Sequence, residues 1–305
     1  MKFILDKVAF GRHETFPLRF AWLPKGFEAL GKNSRIFEDD EAIVTLGVGK
    51  NMVRSIRYWL IAAQMARPSG FGVEPTDLGK ALLGQDGWDP YLEDEATIWL
   101  LHWLIVTNPS WSTVSNWFFN HFHKPRFTSQ EAQTGFVDYC RENVTSKFSA
   151  TTAKKDVAVL LRSYVRTRAT GRIPLEEALD SPLSLLGLIS YATGEKAYRS
   201  HADTRPELPI GVFGYAVAEL FATRTDTALP IDQLMYPKDG WPALGTVFRL
   251  TENDLIKKLE LFTQSANGAF EIRETAGVHQ LYRLADIDPI SYLSAYYSAE
   301  ERAAA

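Results

Sequence analysis

The stretch EDDEAIVTLGVGKNMVRSIRYWLIAAQMAR, residues 38–67, carries the plainest fold signal in the chain. Its leading acids can cap a short helix, and Gly47 and Gly49 interrupt the pattern with a tight turn. Beyond the turn, Val48, Met52, Ile56, Trp59, Leu60 and Ala63 recur at steps of three and four, which predicts a helix over residues 49–67 with one apolar face. Lys50, Arg54 and Arg57 fall together on the opposite face, with Asn51 beside them. One side of this helix packs and the other is cationic, an arrangement suited to a nucleic-acid backbone. Phosphate contacts would orient it, and Asn or Arg could read base edges. The same face also suits a solvated surface helix or a protein contact.

Working outward, FGVEPTDLGKALL, residues 71–83, predicts a short strand at 73–76 and a helix at 77–83 with Thr76 as its N-cap. Helix, glycine turn, helix and short strand together resemble a winged helix-turn-helix. Residues 93–107 read as a buried Trp- and Leu-rich helix, and 111–122, 129–143 and 151–167 continue the helical spacing. Pro174 and Pro182 punctuate the next stretch, and 194–209 reads as a linker or long loop. A helix over 210–222 follows, then a turn-rich segment with Pro230, Pro237, Gly240 and Pro242. Thr251 opens a helix over 252–262, and a hairpin turning at Gly277 alternates Phe270 and Ile272 with Val278, Leu281 and Leu284. The expectation is a mainly α protein of three modules. These are a winged-helix-like N-terminal domain over 1–110, a central helical bundle over 111–193, and a winged-helix-like C-terminal domain with a short hairpin over 210–300.

Composition limits the choices further. The 305 residues, 46% of them hydrophobic, supply more than one core. Apolar runs stop short of the ~18–20 residues that span a bilayer, and the N-terminus lacks an uninterrupted signal-peptide core, so a cytoplasmic location without membrane contact is expected. One cysteine, Cys140, can build neither an internal disulfide nor a thiolate metal cluster, and reads as a small buried hydrophobe. A net charge of −4 argues against binding nucleic acid by bulk charge, so any such site must be local.

Several clusters could carry chemistry. GRHE, residues 11–14, with Arg19 and Lys25 beyond it, sets cations among aromatics. There His13 and Glu14 could transfer protons or hold a metal while Arg12 and Arg19 hold phosphate oxygens, or the charges could simply pair elsewhere. GQDGWDPYLEDE, residues 84–95, gathers Asp86, Asp89, Glu93, Asp94 and Glu95, oxygen donors of the kind Mg²⁺ or Mn²⁺ takes, or else a helix cap. His102 reads as a core histidine, and His121 and His123 do not share a helix face. LGVGKN lacks P-loop spacing, and no GxSxG, HExxH, CxxC or GxGxxG occurs.

Taken in order, FGRHETFPLRFAWLPKG (10–26), LGVGKNMVRSIRYWL (46–60), TDLGKALLGQDGWDPYLEDEATIWLLHWLI (76–105), VFRLTENDLIKKLELF (247–262) and ETAGVHQLYRL (274–284) resemble the successive blocks of one bacterial family. This is the SspB-like family of DNA phosphorothioation and phage-defence clusters, long without an assigned function and encoded beside sulfur-transfer enzymes related to phosphoadenosine phosphosulfate reductase. The resemblance implies a part in replacing a non-bridging phosphate oxygen of DNA with sulfur, where SspB-like members are described as nicking DNA. It also implies a cysteine desulfurase, an ATP-pyrophosphatase and an ATPase as partners.

Two functional readings follow from residues and resemblance together. In one, a nickase using Mg²⁺ or Mn²⁺ carries its chemistry on His13, Glu14, Asp89 and Glu93, and grips DNA through Arg12, Arg19, Lys50, Asn51, Arg54, Arg57, Arg273 and Arg283. In the other, a non-catalytic adaptor or transcriptional regulator uses the same basic faces. A third class, a structural interaction protein, draws on the eight tryptophans.

Overall fold

The computed structural model describes residues 1–70, 72–166, 181–275 and 278–304. It is mainly helical, with three small antiparallel sheets among the described residues. Two compact units emerge: a larger one of Phe3–Phe118 with Phe122–Ser200, and a smaller one of Met1–Lys2, Phe119–His121 and His201–Ala305.

The larger unit begins with α1 (Trp22–Lys32), which packs on α3 (Lys50–Ala62). Sequence reading missed α1, because Gly26 and Gly31 disguise it. The physical reason for Gly26 is close approach, since a Cβ there would lie 2.5 Å from Ile56 Cγ2. α2 (Glu41–Leu46) ends on Gly47 in the left-handed region at φ 65°, and Gly49 in extended backbone starts α3. The tight turn expected between them is present.

α3 stops at Ala62, not at Arg67. Gln64 takes a left-handed φ of 59°, its N–H donates to Ile61 O at 3.0 Å, and the Asn108 side chain donates to the carbonyls of Ile61 and Ala62 at 3.0 and 3.2 Å. Arg67 therefore lies on strand β1 (Ala66–Ser69), paired with β2 (Gly72–Pro75), where it forms an ion pair with Glu74. Thr76 caps α4 (Asp77–Leu83) by accepting from Gly79 N, and its hydroxyl contacts Gln64 O at 2.7 Å. Hairpin, cap and helix end are thus tied at one point.

α5 (Glu95–Val106) is the core of this unit, with every residue from Ala96 onward buried. Each such large apolar side chain contributes roughly 1.5–3 kcal/mol, and so many on one helix make it the pillar the others surround. α6 (Thr113–His121), α7 (Ser129–Asn143, opened by a Thr128–Glu131 capping box) and α8 (Ala150–Tyr164) follow, and α7 packs on α8. Cys140 is buried, and burial raises its thiol to about 12. Strands β3 (Arg126–Phe127), β4 (Ser190–Ala192) and β5 (Ala197–Arg199) form a small sheet in the order β3-β5-β4. The linker expected over 194–209 is in part strand: Tyr198 of β5 stacks on Phe127, an apolar contact that the polar text around it hides.

The smaller unit holds α9 (Ile210–Ala222), β6 (Ala228–Pro230), α10 (Ile231–Met235), α11 (Leu244–Val247) and α12 (Glu252–Ser265, capped by Thr251). A hairpin of β7 (Phe270–Thr275) and β8 (Val278–Arg283) comes next, then α13 (Ile290–Ala304), a helix that sequence reading had not predicted. Phe213, Phe221, Phe248, Phe262 and Phe270 fill its core. The turn expected at Gly277, the helix end at Thr167 and Pro174 lie outside the described residues. Among the described residues no helix is long and apolar enough to cross a membrane.

Gly79 gives a direct check on this packing. A Cβ there would meet Met65 O at 2.1 Å, a backbone atom that cannot turn away. Gly79→Ala is expected to destabilise the larger unit by about 1–3 kcal/mol or more. Urea unfolding followed by tryptophan fluorescence reads this, because every tryptophan except Trp241 lies in that unit.

Candidate nucleic-acid interface

The loop that carries GRHE crosses the face of the larger unit in an unusual backbone: Gly11, Glu14 and Thr15 have φ of 69°, 49° and 66°. Two consecutive non-glycine residues in the left-handed region need external support. It comes from Asp156, a buried acid of α8, whose carboxylate accepts from Gly11 N at 3.0 and 3.2 Å and faces His13 Nε2 at 2.9 Å. Thr15 N donates to His13 Nδ1 at 3.1 Å, which places the ring proton on Nε2, directed at Asp156. Trp59 Nε1 donates to Phe16 O at 3.2 Å and Arg162 Nη2 to Thr15 O at 2.6 Å. The backbone from Gly11 to Phe16 is therefore held by α3 and α8 together.

Behind the loop, Tyr58 meets the His13 ring edge-on at 5.7 Å and hydrogen-bonds Ser112. Burial pushes the Tyr58 phenol well above its ordinary value. Two cavities of about 10 Å³ border this group, near the lower limit for one water. Asp156 is shifted up, chiefly by burial, while His13 and the Gly11 amide pull the other way.

In front of the loop stand the cations. Arg12 is exposed and lies over the Trp111 ring at 4.6 Å. Arg57 is half-buried and shifted down, first by burial, with Glu38 opposing and Arg12 adding to the shift. Arg12 is thus within electrostatic reach of Arg57, a weaker influence there than burial or Glu38. Arg54 is exposed, 3.7 Å from Glu14, and Lys50 lies 3.6 Å from Asp40 in a solvent-facing pair, with Asn51 also exposed. Such exposed pairs are worth roughly 0–1 kcal/mol and open easily to a stronger anion.

The structure brings Arg12, His13, Glu14, Arg54 and Arg57 together, with Lys50 and Asn51 at the start of the same helix, and it leaves Arg19, Asp89, Glu93, Arg273 and Arg283 elsewhere. Arg19 sits over Trp22 at 5.3 Å. Asp89 is buried and accepts from Glu93 N, Asp94 N and Thr97 Oγ1 at 2.8, 3.1 and 2.6 Å, organising the start of α5. Glu93 is exposed, and neither acid lines the His13 cavities. Arg273 and Arg283 belong to the smaller unit. Arg273 pairs with Glu271 at 2.6 Å, while half-buried Arg283 reaches Phe221 O and Asp286 at 3.3 and 3.2 Å.

Sequence reading did not find Asp156, Tyr58, Trp111 or Arg162. The one usable signal was Asp156 itself, a lone acid on the apolar stripe of Ala153, Val157, Leu160 and Tyr164, where a charge is seldom buried without a partner.

As to a metal, among the described residues no group of three or more His, Cys, Asp or Glu could hold an ion. Asp89 spends both carboxylate oxygens on α5, and Asp94 caps the same helix by accepting from Ala96 N. The acidic stretch fits a helix start better than a resident divalent ion.

Removing Asp156 separates its two functions. Asp156→Ala leaves the Gly11 amide and His13 Nε2–H without a buried acceptor, at an expected cost of about 2–4 kcal/mol, whereas Asp156→Asn keeps an acceptor and should cost less. The folded state holds Asp156 above its ordinary value of 3.8. Its protonation therefore stabilises fully below that value, and the contribution is lost as pH rises through the folded pKa. Wild type should thus lose stability relative to Asp156→Asn as pH rises from about 4 toward neutrality, a trend measurable by urea titration at several pH values.

Comparison with known proteins places this geometry in a family. No curated protein matches the chain. An SspB crystal structure is 29% identical, with 95% of this chain and 88% of that one covered and a TM-score of 0.83. A magnesium ion-bound SspB crystal structure is 28% identical at the same coverage and TM-score. The family described as protein of unknown function (DUF4007) matches residues 10–297, so the chain belongs to that family and is SspB-like.

Proposed function

We propose that this protein is a DNA-binding component of a DNA phosphorothioate-modification system, acting in phage defence. The observation that carries the reading is the grouping of exposed Arg12, Lys50 and Arg54 with half-buried Arg57 around the GRHE loop and α3, on a chain of net charge −4. A local group of cations on an acidic chain suits a polyanion, and DNA phosphates supply one at regular spacing. The system itself is inferred from the likeness to SspB.

In this reading α2, the Gly47–Gly49 turn, α3 and the β1–β2 hairpin serve as a winged helix-turn-helix, with α3 as the recognition helix and Asn51 at its exposed start. The modules over 1–110, 111–193 and 210–300 are kept as its working division. Arg19, Arg273 and Arg283 are outlying backbone contacts, with α12 and the β7–β8 hairpin as a second wing. A cysteine desulfurase, an ATP-pyrophosphatase and an ATPase are its proposed partners, in the cytoplasm.

The non-catalytic adaptor has one specific observation in its favour. Both ring nitrogens of His13 and both oxygens of Asp89 are already engaged, which suits positioning better than proton transfer. The nickase reading leaves exposed Glu93 and half-buried Glu14, paired with Arg54, as its acids, and would draw Mg²⁺ or Mn²⁺ in with the DNA phosphates. Supercoiled plasmid incubated with either ion decides between them: nicking that survives Glu14→Gln and Glu93→Gln would remove these acids, and no nicking at any protein concentration leaves the adaptor.

For binding itself, Arg54→Glu should weaken duplex affinity and lower the slope of log K against log salt by roughly one phosphate, about 0.9. Glu14→Gln should act oppositely, strengthening low-salt binding about 2- to 5-fold by freeing Arg54 from its partner. Fluorescence anisotropy over a salt series reads both. Unchanged affinity and slope in Arg54→Glu would remove the α3 face from the account.

A further inference from the structure

Arg162 links the loop to a second feature of the larger unit. Its guanidinium donates to Thr15 O, and the same side chain lines an open cleft of about 640 Å³ between the end of α8 and the β4–β5 sheet. That volume lies within the ~300–1,000 Å³ typical of small-ligand clefts. Arg166 lines it as well, and among the described residues no carboxylate does. Tyr191 and Tyr198 form one wall, their rings 4.9 Å apart, with Tyr191 40% exposed. Leu161, Val165 and Ile189 supply apolar surface. Ser184 adds an independent sign of a missing ligand: it also lines the cleft, and its buried hydroxyl has no hydrogen-bond partner among the described residues.

Two arginines, an aromatic wall, apolar surface and an orphan hydroxyl call for a ligand with both anionic oxygens and a flat π-face. A nucleotide has both. A protein phosphate would satisfy the arginines and leave the tyrosine pair idle. We propose that this cleft seats one unpaired nucleotide of a DNA strand running from the α3 face across the loop. Its phosphate lies between Arg162 and Arg166, its base stacks against Tyr191, which Tyr198 backs, and Ser184 donates to a base or phosphate oxygen. The assignment rests on the DNA-binding reading and adds strand geometry to it: DNA that offers an unpaired base is preferred over perfect duplex.

The experiment uses the full chain and fluorescence anisotropy with two probes of one sequence, a perfect duplex and the same duplex with a short single-stranded gap. Wild type is expected to bind the gapped probe more tightly. Tyr191→Ala should weaken gapped binding about 5- to 100-fold, the worth of one stacked base, and leave duplex affinity unchanged, while Tyr191→Phe keeps the preference. Arg166→Gln should lower the salt slope for the gapped probe alone. Equal affinity of wild type for the two probes, or a preference that survives Tyr191→Ala, overturns the cleft assignment and leaves the α3 face standing. Binding of neither probe overturns the DNA reading and this one with it. A free deoxynucleoside monophosphate that abolishes the preference at concentrations comparable to gapped DNA would assign the cleft to a soluble nucleotide and overturn the strand model.

Discussion

Burying Asp156 strips water from its carboxylate, a cost that raises its pKa and is offset only by the groups that come to meet it: the Gly11 amide and the Nε2–H of His13. Everything on the candidate face depends on this exchange. Gly11, Glu14 and Thr15 adopt left-handed backbone that the sequence would not choose freely, and their conformations persist because Asp156, Trp59 and Arg162 hold the loop from three directions. Arg12 is then fixed over Trp111 and near Arg57, and Glu14 is set against Arg54. A buried acid behind the loop thus sets the spacing of the cations in front of it. His13, the residue whose chemistry first draws attention, acts in this arrangement as the joint between them.

The periodic signals were read well because they report packing within one helix. The step pattern of Val48, Met52, Ile56 and Trp59, the glycine turn and the Thr76 and Thr251 caps are local causes, and the elements they predict are present. Failures came where tertiary contact decides. α1 needs Gly26 because Ile56 and Leu60 approach it, which no window around residue 26 reveals. α3 ends early because Asn108, far along the chain, takes its last carbonyls. The candidate site divides the same way: the stripe Lys50, Arg54 and Arg57 was visible as spacing, whereas the Asp156–His13 contact spans a separation of 143 residues. Asp89 looked like a metal ligand in a run of acids, and its burial beneath the start of α5 gives it another task.

Charge is distributed unevenly between the units. On the larger unit, cations cluster with pairs that are exposed and easily opened. On the hairpin of the smaller unit, Arg273 is bound to Glu271 and lies over Tyr282 at 5.1 Å, and Arg283 is half-buried on a backbone carbonyl. Arg273–Glu271 is as exposed as the pairs Arg54–Glu14 and Lys50–Asp40, so all three are open to competition by another anion, whereas Arg283 is the more enclosed. In the proposed reading, α3 and the GRHE loop take the larger share of backbone binding, because their cations are grouped on one face.

Hydrogen–deuterium exchange with and without DNA tests that claim most directly, because it reports where the backbone is covered without altering a residue. The account predicts that DNA slows exchange in peptides spanning residues 10–16 and 50–57. Protection confined to the hairpin at 270–283, with the loop and α3 unchanged, would contradict it.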